Sequence, residues 1–268
     1  MITGKTRLCG IVGHPIGHVR VPMAFNERFA ARGIDCVSLP FHVRPENFAA
    51  WVQGMRAQDN LDGFVVTAPH KKAMVALCDE VVGEAKLVGA VNTVRREPDG
   101  RLVGELFDGR GFVNGLLAHG HAVAGKRVFV MGAGGAGNAV TFALARAGVA
   151  ALTVCNRTPA RAEDLVRRLA AAYPQCEVRV GARDARGHDA AVNTTTLGLE
   201  AGDELPFAVE GLPPMLVAEV IMKPERTALV NTAAACGHAT QEGRHMLDFQ
   251  ADLICDFLRI GDAPAKNG

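Results

Sequence analysis

The stretch Val128-Phe-Val-Met-Gly132-Ala-Gly134-Gly135-Ala-Gly137 decides the fold class of this chain. It has the pattern of a buried strand that runs into a glycine-rich turn, and residues 136–147 then continue as a helix. A pyrophosphate can approach the backbone N–H groups at such a helix N-terminus because glycine has no Cβ to block it. The stretch therefore predicts a dinucleotide-binding turn, with a turn that only serves packing as the alternative. The residues predicted to line it are Gly132, Gly134, Gly135 and Ala136.

Strands and helices are also expected to alternate on both sides of this turn. Before it, the pattern predicts strands at residues 8–12, 36–41 and 63–67 and helices at residues 22–32 and 45–57. After it, the pattern predicts a helix at residues 159–172 and strands at residues 151–155, 178–180, 190–192 and 216–221. Residues 108–121 are glycine-rich and should form a helix and a hinge, while residues 245–260 repeat apolar positions at helical spacing. This alternation predicts an α/β fold with largely parallel sheets.

Composition excludes several classes of protein. Hydrophobic residues make up 49% and charged residues 21%, which is typical of a globular chain. A formal net charge of +1 gives no electrostatic footprint for nucleic acid or for an anionic membrane. No apolar run approaches the ~18 residues that span a bilayer, and no signal peptide is evident. The seven cysteines are scattered without C-x-x-C spacing, so we expect reduced thiols, no metal site and a cytoplasmic location.

The segment after the second strand of the glycine-turn region predicts the choice of cofactor. In dinucleotide-binding folds, the residues in this segment contact the adenosine ribose of the cofactor. An acidic residue here would hydrogen-bond the 2′-hydroxyl of NAD and repel the 2′-phosphate of NADP. This chain instead offers an amide, a hydroxyl and two guanidinium groups, which favour a 2′-phosphate. The sequence therefore predicts that NADP is preferred over NAD. In the alternative, the two arginines are only solvated residues at the start of a helix and the cofactor is NAD. The predicted contacts are Asn156, Arg157, Thr158 and Arg161.

A further polar cluster follows the strand at residues 190–192. Ligands of open α/β sheets bind at the carboxyl ends of strands. We therefore expect this cluster to line the adenosine or nicotinamide path, with turn chemistry alone as the alternative. Its residues are Asn193, Thr194 and Thr195.

Short motifs follow one another along nearly the whole chain, and each is weak by itself. They are Gly13-His-Pro15-Ile16-Gly-His18, Thr67-Ala-Pro-His-Lys71, Gly89-Ala-Val-Asn92-Thr93, Asp108-Gly109, the glycine turn, Asn156-Arg-Thr158, Asn193-Thr-Thr195, Lys223-Pro224 and Gly243-Arg-His-Met246-Leu247-Asp-Phe-Gln250-Ala251. In this order they make the chain resemble the shikimate dehydrogenase family.

The resemblance implies an N-terminal α/β substrate domain and a Rossmann-type NADP-binding domain. The first would span residues 1–105, completed by 240–268, and the second residues 106–239. The resemblance further implies reversible hydride transfer between nicotinamide and a hydroxyl or keto carbon of a shikimate- or quinate-like compound, as in aromatic amino acid biosynthesis. It implies a small-molecule substrate, with a monomer or homodimer as the expected assembly.

The resemblance also assigns roles to individual residues. Lys71 and Asp108 would be the catalytic pair, and Thr67, Asn92 and Gln250 would hydrogen-bond the substrate. Oxidation of an alcohol needs a group that takes its proton as the hydride leaves. Burial lowers the pKa of a lysine and a neighbouring carboxylate raises it, so the sequence leaves the balance open.

The chain departs from the family pattern in the substrate site. Valines replace the two serine hydroxyls that hold the shikimate carboxylate, and apolar residues replace an asparagine, a threonine and a tyrosine. The replacements are Val19, Val21, Val65, Phe107 and Met222. We expect the catalytic residues to be intact and the substrate pocket to be more apolar than in the family. Two alternatives remain open. Arg20 supplies a new carboxylate anchor if it turns inward, or the protein is a catalytically silent NAD(P)-binding sensor.

Overall fold

The computed structural model describes residues 1–17 and 19–261. Its strands are Arg7–Gly13 (β1), Cys36–His42 (β2), Gly63–Val66 (β3), Glu80–Val81 (β4), Thr93–Arg96 (β5), Leu102–Glu105 (β6), Arg127–Met131 (β7), Ala151–Cys155 (β8), Glu177–Val180 (β9), Ala190–Asn193 (β10), Leu216–Glu219 (β11) and Ala239–Gln241 (β12). Its α-helices are Val21–Arg32 (α1), Phe48–Arg56 (α2), Gly83–Val88 (α3), Asp108–Ala118 (α4), Gly135–Arg146 (α5), Pro159–Ala172 (α6), Ala228–Ala235 (α7), Arg244–Asp248 (α8) and Ala251–Leu258 (α9). Short 3-10 helices occupy Pro45–Asn47 and Ala73–Leu77.

The chain divides into two compact units. One contains Met1–Phe107 and the segment from Ala251 onward, and the other contains Asp108–Gln250. The C-terminal part of the first unit thus begins at Ala251 rather than at residue 240. Helix α8 stays with the second unit because it packs closely on α4: a Cβ on Gly111 would lie 2.5 Å from the Met246 carbonyl oxygen. His18 and residues 262–268, which the sequence analysis also assigned, lie outside the described residues.

The first unit is built on a mixed sheet with the order β2-β1-β3-β5-β6-β4. Strand β1 runs parallel to β2 and β3, whereas β5 runs antiparallel to β3 and β6. The β5–β6 connection is a tight turn in which Glu97 N donates to Arg101 O over 2.8 Å. Because β5 runs opposite to β3, the start of β5 lies at the same sheet edge as the carboxyl end of β3.

The second unit has an entirely parallel sheet with the order β12-β11-β10-β7-β8-β9. The strand order reverses at β7, which pairs with β10 on one side and with β8 on the other. Such a switch point is where open α/β sheets bind ligands, and the glycine turn follows β7 directly. The predicted α/β class is therefore confirmed.

The core of the second unit explains why these strands read as apolar runs. Strands β7, β10 and β11 bury Phe129, Ala191 and Val217, which are completely inaccessible to solvent and lie in one cluster. Helices on both faces require apolar side chains on both sides of a parallel strand. No helix among the described residues has the length and apolar character that a membrane span requires. All seven cysteines are free thiols.

Candidate active site

Three residues with predicted substrate or catalytic roles lie together at one edge of the first sheet. Thr67 follows β3, and its backbone N–H donates to Val12 O over 2.9 Å. Asn92 precedes β5, and its carbonyl accepts from Val66 N over 2.7 Å. Val91 N donates to the carbonyl of Lys71 over 2.9 Å. Backbone hydrogen bonds thus fix Thr67, Lys71 and Asn92 as neighbours.

The side chain of Asn92 is locked by the fold. It is buried, and its Oδ1 accepts from Thr93 Oγ1 and from Phe107 N, each over 2.9 Å. A carboxamide whose oxygen is fixed has a fixed orientation of its nitrogen as well, which suits a polar group that must recognise a ligand. Lys71 beside it is half-buried.

Asp108 and Gln250 lie in the second unit, around the first turns of α4. Asp108 is the first residue of this helix and is 6% exposed. A carboxylate at a helix N-terminus is stabilised by the helix dipole. Gln250 lies against the same helix, since a Cβ on Gly111 would be 2.7 Å from its Cβ. The structure describes each of the two units by itself, so the pairing of Lys71 with Asp108 stays a prediction.

The glycine turn contains two kinds of glycine. Gly132 has a φ of 116°, and a Cβ there would lie 2.4 Å from Thr194 Oγ1. A Cβ on Gly137 would lie 2.3 Å from the Gly132 carbonyl oxygen. A Cβ on Gly134 or Gly135 would meet no atom within 4 Å. Gly132 and Gly137 are therefore required by the conformation of the turn, whereas Gly134 and Gly135 keep an open surface at the start of α5.

This open surface fits a dinucleotide. Backbone N–H groups in the first turn of a helix have no intrahelical acceptor, and the bare glycines leave room for a pyrophosphate to reach them. The residues beside the turn agree in charge. Arg157 and Arg161 are exposed at the start of α6, a helix whose first turn contains no acidic residue. Two cations at a helix N-terminus oppose the dipole, so a bound phosphate would compensate them.

Asn156 links the two segments. Its Oδ1 accepts from Ala133 N over 3.0 Å, and its Nδ2 donates to Thr158 O over 2.9 Å. Asn156, which is predicted to contact the ribose, therefore also connects the glycine turn to the segment that carries the exposed arginines. Its contact with a cofactor stays a prediction.

The polar side chains at the end of β10 form hydrogen bonds with the glycine turn and with one another. Thr194 Oγ1 donates to Met131 O over 2.8 Å, and Asn193 Oδ1 accepts from Thr195 Oγ1 over 2.7 Å. Asn193 and Thr194 are both buried. Turn chemistry, the alternative left open for this cluster, thus accounts for their side chains, and a cofactor contact stays a prediction.

Sequence reasoning missed Glu219, a carboxylate that is 1% exposed at the end of β11. It accepts hydrogen bonds only. The donors are Asn193 Nδ2 (3.0 Å), Val220 N (2.8 Å), Ile221 N (3.1 Å) and Thr227 Oγ1 (3.1 Å). Burial raises the pKa of Glu219 above its ordinary value, although these hydrogen bonds lower it. An acidic residue inside the apolar run Leu-Val-Ala-Glu-Val-Ile was the available signal.

We expect Glu219→Gln to lower the free energy of unfolding by about 1–3 kcal/mol. The substitution replaces one carboxylate oxygen with an NH₂ group, so the donors that point to this oxygen lose their acceptor. A group with a raised pKa in the fold stabilises most below its unfolded pKa, and that contribution is lost as pH rises through the folded value. The gap between wild type and variant should therefore widen as pH falls toward the ordinary pKa of a glutamate, about 4.3. Denaturant unfolding of both proteins measures it, and a gap that narrows at low pH would contradict this assignment.

The apolar replacements in the substrate site are mostly packing residues. Val21, Val65 and Phe107 are buried, and the Phe107 ring contacts Phe257 edge-on with centroids 5.4 Å apart. Val19 and Met222 are half-buried. Arg20 is exposed at the start of α1, and its role as a carboxylate anchor stays an untested alternative.

Comparisons with known proteins give the chain its relatives. A family model described as the shikimate dehydrogenase substrate binding domain matches residues 11–94, and one described as shikimate / quinate 5-dehydrogenase matches residues 117–187. A protein of Rubrobacter xylanophilus named shikimate dehydrogenase (NADP(+)) is 43% identical over 254 residues, covering 93% of this chain and 89% of that protein.

Solved structures agree with these matches. Shikimate 5-dehydrogenase from Listeria monocytogenes, solved with shikimate and NAD, has a TM-score of 0.90 and 31% identity, covering 98% of this chain and 95% of that chain. Ligand-free 5-ketofructose reductase from Gluconobacter sp. strain CHM43 has a TM-score of 0.88 and 29% identity, covering 96% and 94%. The predicted architecture, an α/β substrate domain followed by a Rossmann-type domain, is confirmed.

Proposed function

The chain belongs to the shikimate dehydrogenase family, and from that membership we propose that it is an NADP-dependent oxidoreductase. It transfers hydride reversibly between the nicotinamide and a hydroxyl or keto carbon of a shikimate- or quinate-like compound. The observation that carries the proposal is the fixed cluster of Thr67, Lys71 and Asn92 at the edge of the first sheet. The relative from Rubrobacter xylanophilus, which is named for NADP and shikimate, supports it.

The residues of the second unit would hold the cofactor, and bound NADP supplies or accepts the hydride. Backbone N–H groups at Gly134 and Gly135 would bind the pyrophosphate. Arg157 and Arg161 would bind the 2′-phosphate through charge-assisted hydrogen bonds, with Thr158 beside them. Asn156 would hold these two parts in register through its hydrogen bonds to Ala133 and Thr158.

Lys71 and Asp108 are the proposed catalytic pair. The Lys71 Nζ would take the proton of the reacting hydroxyl during oxidation and return it to the oxygen during reduction. Asp108 would hold the lysine ammonium in place and stabilise its charged form. Thr67, Asn92 and Gln250 would hydrogen-bond the remaining hydroxyl groups of the substrate, of which Asn92 has the most firmly fixed side chain.

A steady-state assay tests the proposal. The purified protein is mixed with shikimate, quinate and a small panel of cyclic alcohols, each with NADP and with NAD, and cofactor reduction is followed by absorbance. We expect turnover with at least one carboxylated ring alcohol and a preference for NADP. Tight NADP binding without hydride transfer to or from any of these compounds would favour the silent sensor instead.

The arginines give a separate prediction on cofactor choice. We expect the double variant Arg157→Ala and Arg161→Ala to lose about 10- to 100-fold in kcat/KM for NADP, with little change for NAD, because only NADP has a 2′-phosphate. Arg167→Ala is the matched control, since Arg167 is exposed on the same helix and pairs with Asp164. An equal loss for both cofactors would show that the arginines do not read the phosphate.

We also propose a cytoplasmic location and a monomer or homodimer. Seven free thiols are typical of a reducing compartment and support the first part. Light scattering of the purified protein measures the second.

A further inference from the structure

His70 is a buried histidine between two of the proposed site residues, and no role above uses it. It follows Thr67 within the same turn and directly precedes Lys71. The structure describes all of residues 67–73, and among them only His70 is buried, with 2% of its surface exposed. Backbone hydrogen bonds hold the two ends of this segment, and His70 is the side chain that anchors its middle.

A hydrogen bond with only one possible direction holds the ring of His70. Its Nε2 lies 2.8 Å from the carbonyl oxygen of Val43. A carbonyl oxygen can only accept, so the ring nitrogen donates and carries a hydrogen at this position. Val43 in turn donates from its backbone N to Gly13 O over 3.2 Å. His70 is therefore bonded to a segment that is itself tied to β1.

An aromatic stack fixes the plane of the same ring. The centroids of His70 and Phe48 are 4.1 Å apart, and the angle between their planes is 7°. Phe48 is the first residue of α2, is 2% exposed, and stacks further on Trp51 at 6.2 Å. A stack of parallel rings resists tilting but allows one ring to slide along the other. Only the hydrogen bond to Val43 opposes this sliding, and Lys71 is one peptide unit away.

We infer that His70 is a positioning residue for Lys71, and that its hydrogen bond to Val43 performs this role. The inference rests on the proposed function and deepens it, because it adds a buried residue to those that determine turnover. Without the bond, the segment that carries Lys71 can move parallel to the Phe48 ring. A displacement of about 1 Å at a reacting group can reduce the rate on the order of 100-fold.

Three substitutions separate the hydrogen bond from the other properties of the side chain. His70→Phe keeps a ring against Phe48 and loses the donor. His70→Asn keeps a polar side chain whose amide is too short to reach Val43, whereas His70→Gln brings an NH₂ donor close to the position of Nε2. His238→Phe is the matched control, because His238 is a buried histidine of the second unit whose Nε2 lies 2.9 Å from Val209 O.

Acetylation of lysines measures the position of Lys71 without turnover. The protein is treated with N-hydroxysuccinimidyl acetate, and mass spectrometry of one peptide gives the labelling rate of half-buried Lys71 relative to exposed Lys72. We expect His70→Phe and His70→Asn to raise this ratio about threefold to tenfold. His70→Gln and His238→Phe should leave it within about twofold of wild type. A ratio that does not rise in the first two variants, or that rises equally in His70→Gln, overturns the inference.

Steady-state kinetics with shikimate and NADP measure the consequence for turnover. We expect His70→Phe and His70→Asn to lower kcat about 10- to 100-fold, with the KM for NADP within about twofold of wild type. The proposed cofactor residues all lie in the other unit. His70→Gln should restore kcat to within about threefold of wild type, and His238→Phe should leave it within about twofold.

The two measurements together separate this inference from the proposed function. A raised labelling ratio with an unchanged kcat overturns the inference, because the place of Lys71 would then not matter for turnover. The expected labelling changes together with an absence of hydride transfer in wild type would instead count against the proposed function and leave the positioning of Lys71 by His70 supported.

Discussion

Replacing Lys71 with methionine is expected to lower kcat/KM by a factor on the order of 10² to 10⁴ in both reaction directions. Methionine keeps much of the volume of the half-buried side chain but cannot take or return a proton. NADP affinity should stay within about twofold of wild type, because the proposed cofactor residues all lie in the other unit. Steady-state kinetics and a fluorescence titration of NADPH separate the two effects.

The adjacent lysine provides the control. Lys72 is exposed one residue further along the same segment, so Lys72→Met alters the same charge without touching the proposed chemistry. We expect its kcat/KM to remain within about twofold of wild type. Similar activities of the two variants would remove Lys71 from the mechanism and leave the proposed catalytic pair without its proton acceptor.

The second large effect is expected at the glycine turn, where two substitutions of the same size should both weaken NADP binding but differ in their effect on stability. Gly137→Ala places a Cβ 2.3 Å from the backbone oxygen of Gly132, a contact that only a backbone shift can relieve. We expect it to lower the free energy of unfolding by about 1–3 kcal/mol and to weaken NADP binding as well. Gly134→Ala meets no neighbouring atom, so its stability should remain that of wild type.

Gly134→Ala should nevertheless weaken NADP binding about tenfold or more, because its methyl group occupies the surface that the pyrophosphate must approach. Thermal unfolding and NADPH titration of both variants test this pair of predictions. If Gly134→Ala bound NADP as well as wild type, the turn would be a packing feature only, and the proposed cofactor site would have to lie elsewhere.

The elements with strong local signals were predictable from sequence. The glycine turn lies between a buried strand and a helix, and its neighbour Asn156 directly follows β8, so position and residue type agreed. Strands β4, β5 and β6 are only two to four residues long, which is too short for an alternating pattern to show. They form because each pairs with a neighbouring strand: β5 with β3 and β6, and β4 with β6. This pairing is a tertiary effect that local sequence does not show.

The candidate site was predictable in part for the same reason. Lys71 and Asn92 lie in motifs that resemble a family, whereas Glu219 lies in none. Glu219 becomes significant only when the ends of β10 and β11 and the residues after them converge on it. Helices α8 and α9 share one apolar repeat in the sequence, and only packing on α4 separates them.

The residues that hold the glycine turn in place differ from the residues that are proposed to select the cofactor. Asn156, Thr194 and the two packed glycines hold the backbone in place, while Arg157 and Arg161 are exposed and take no part in that support. If Arg157 and Arg161 bind the 2′-phosphate as proposed, the architecture of the turn and the cofactor preference are encoded by separate residues. In that case an exchange of the two arginines would favour NAD and leave the folding of this half of the protein unchanged.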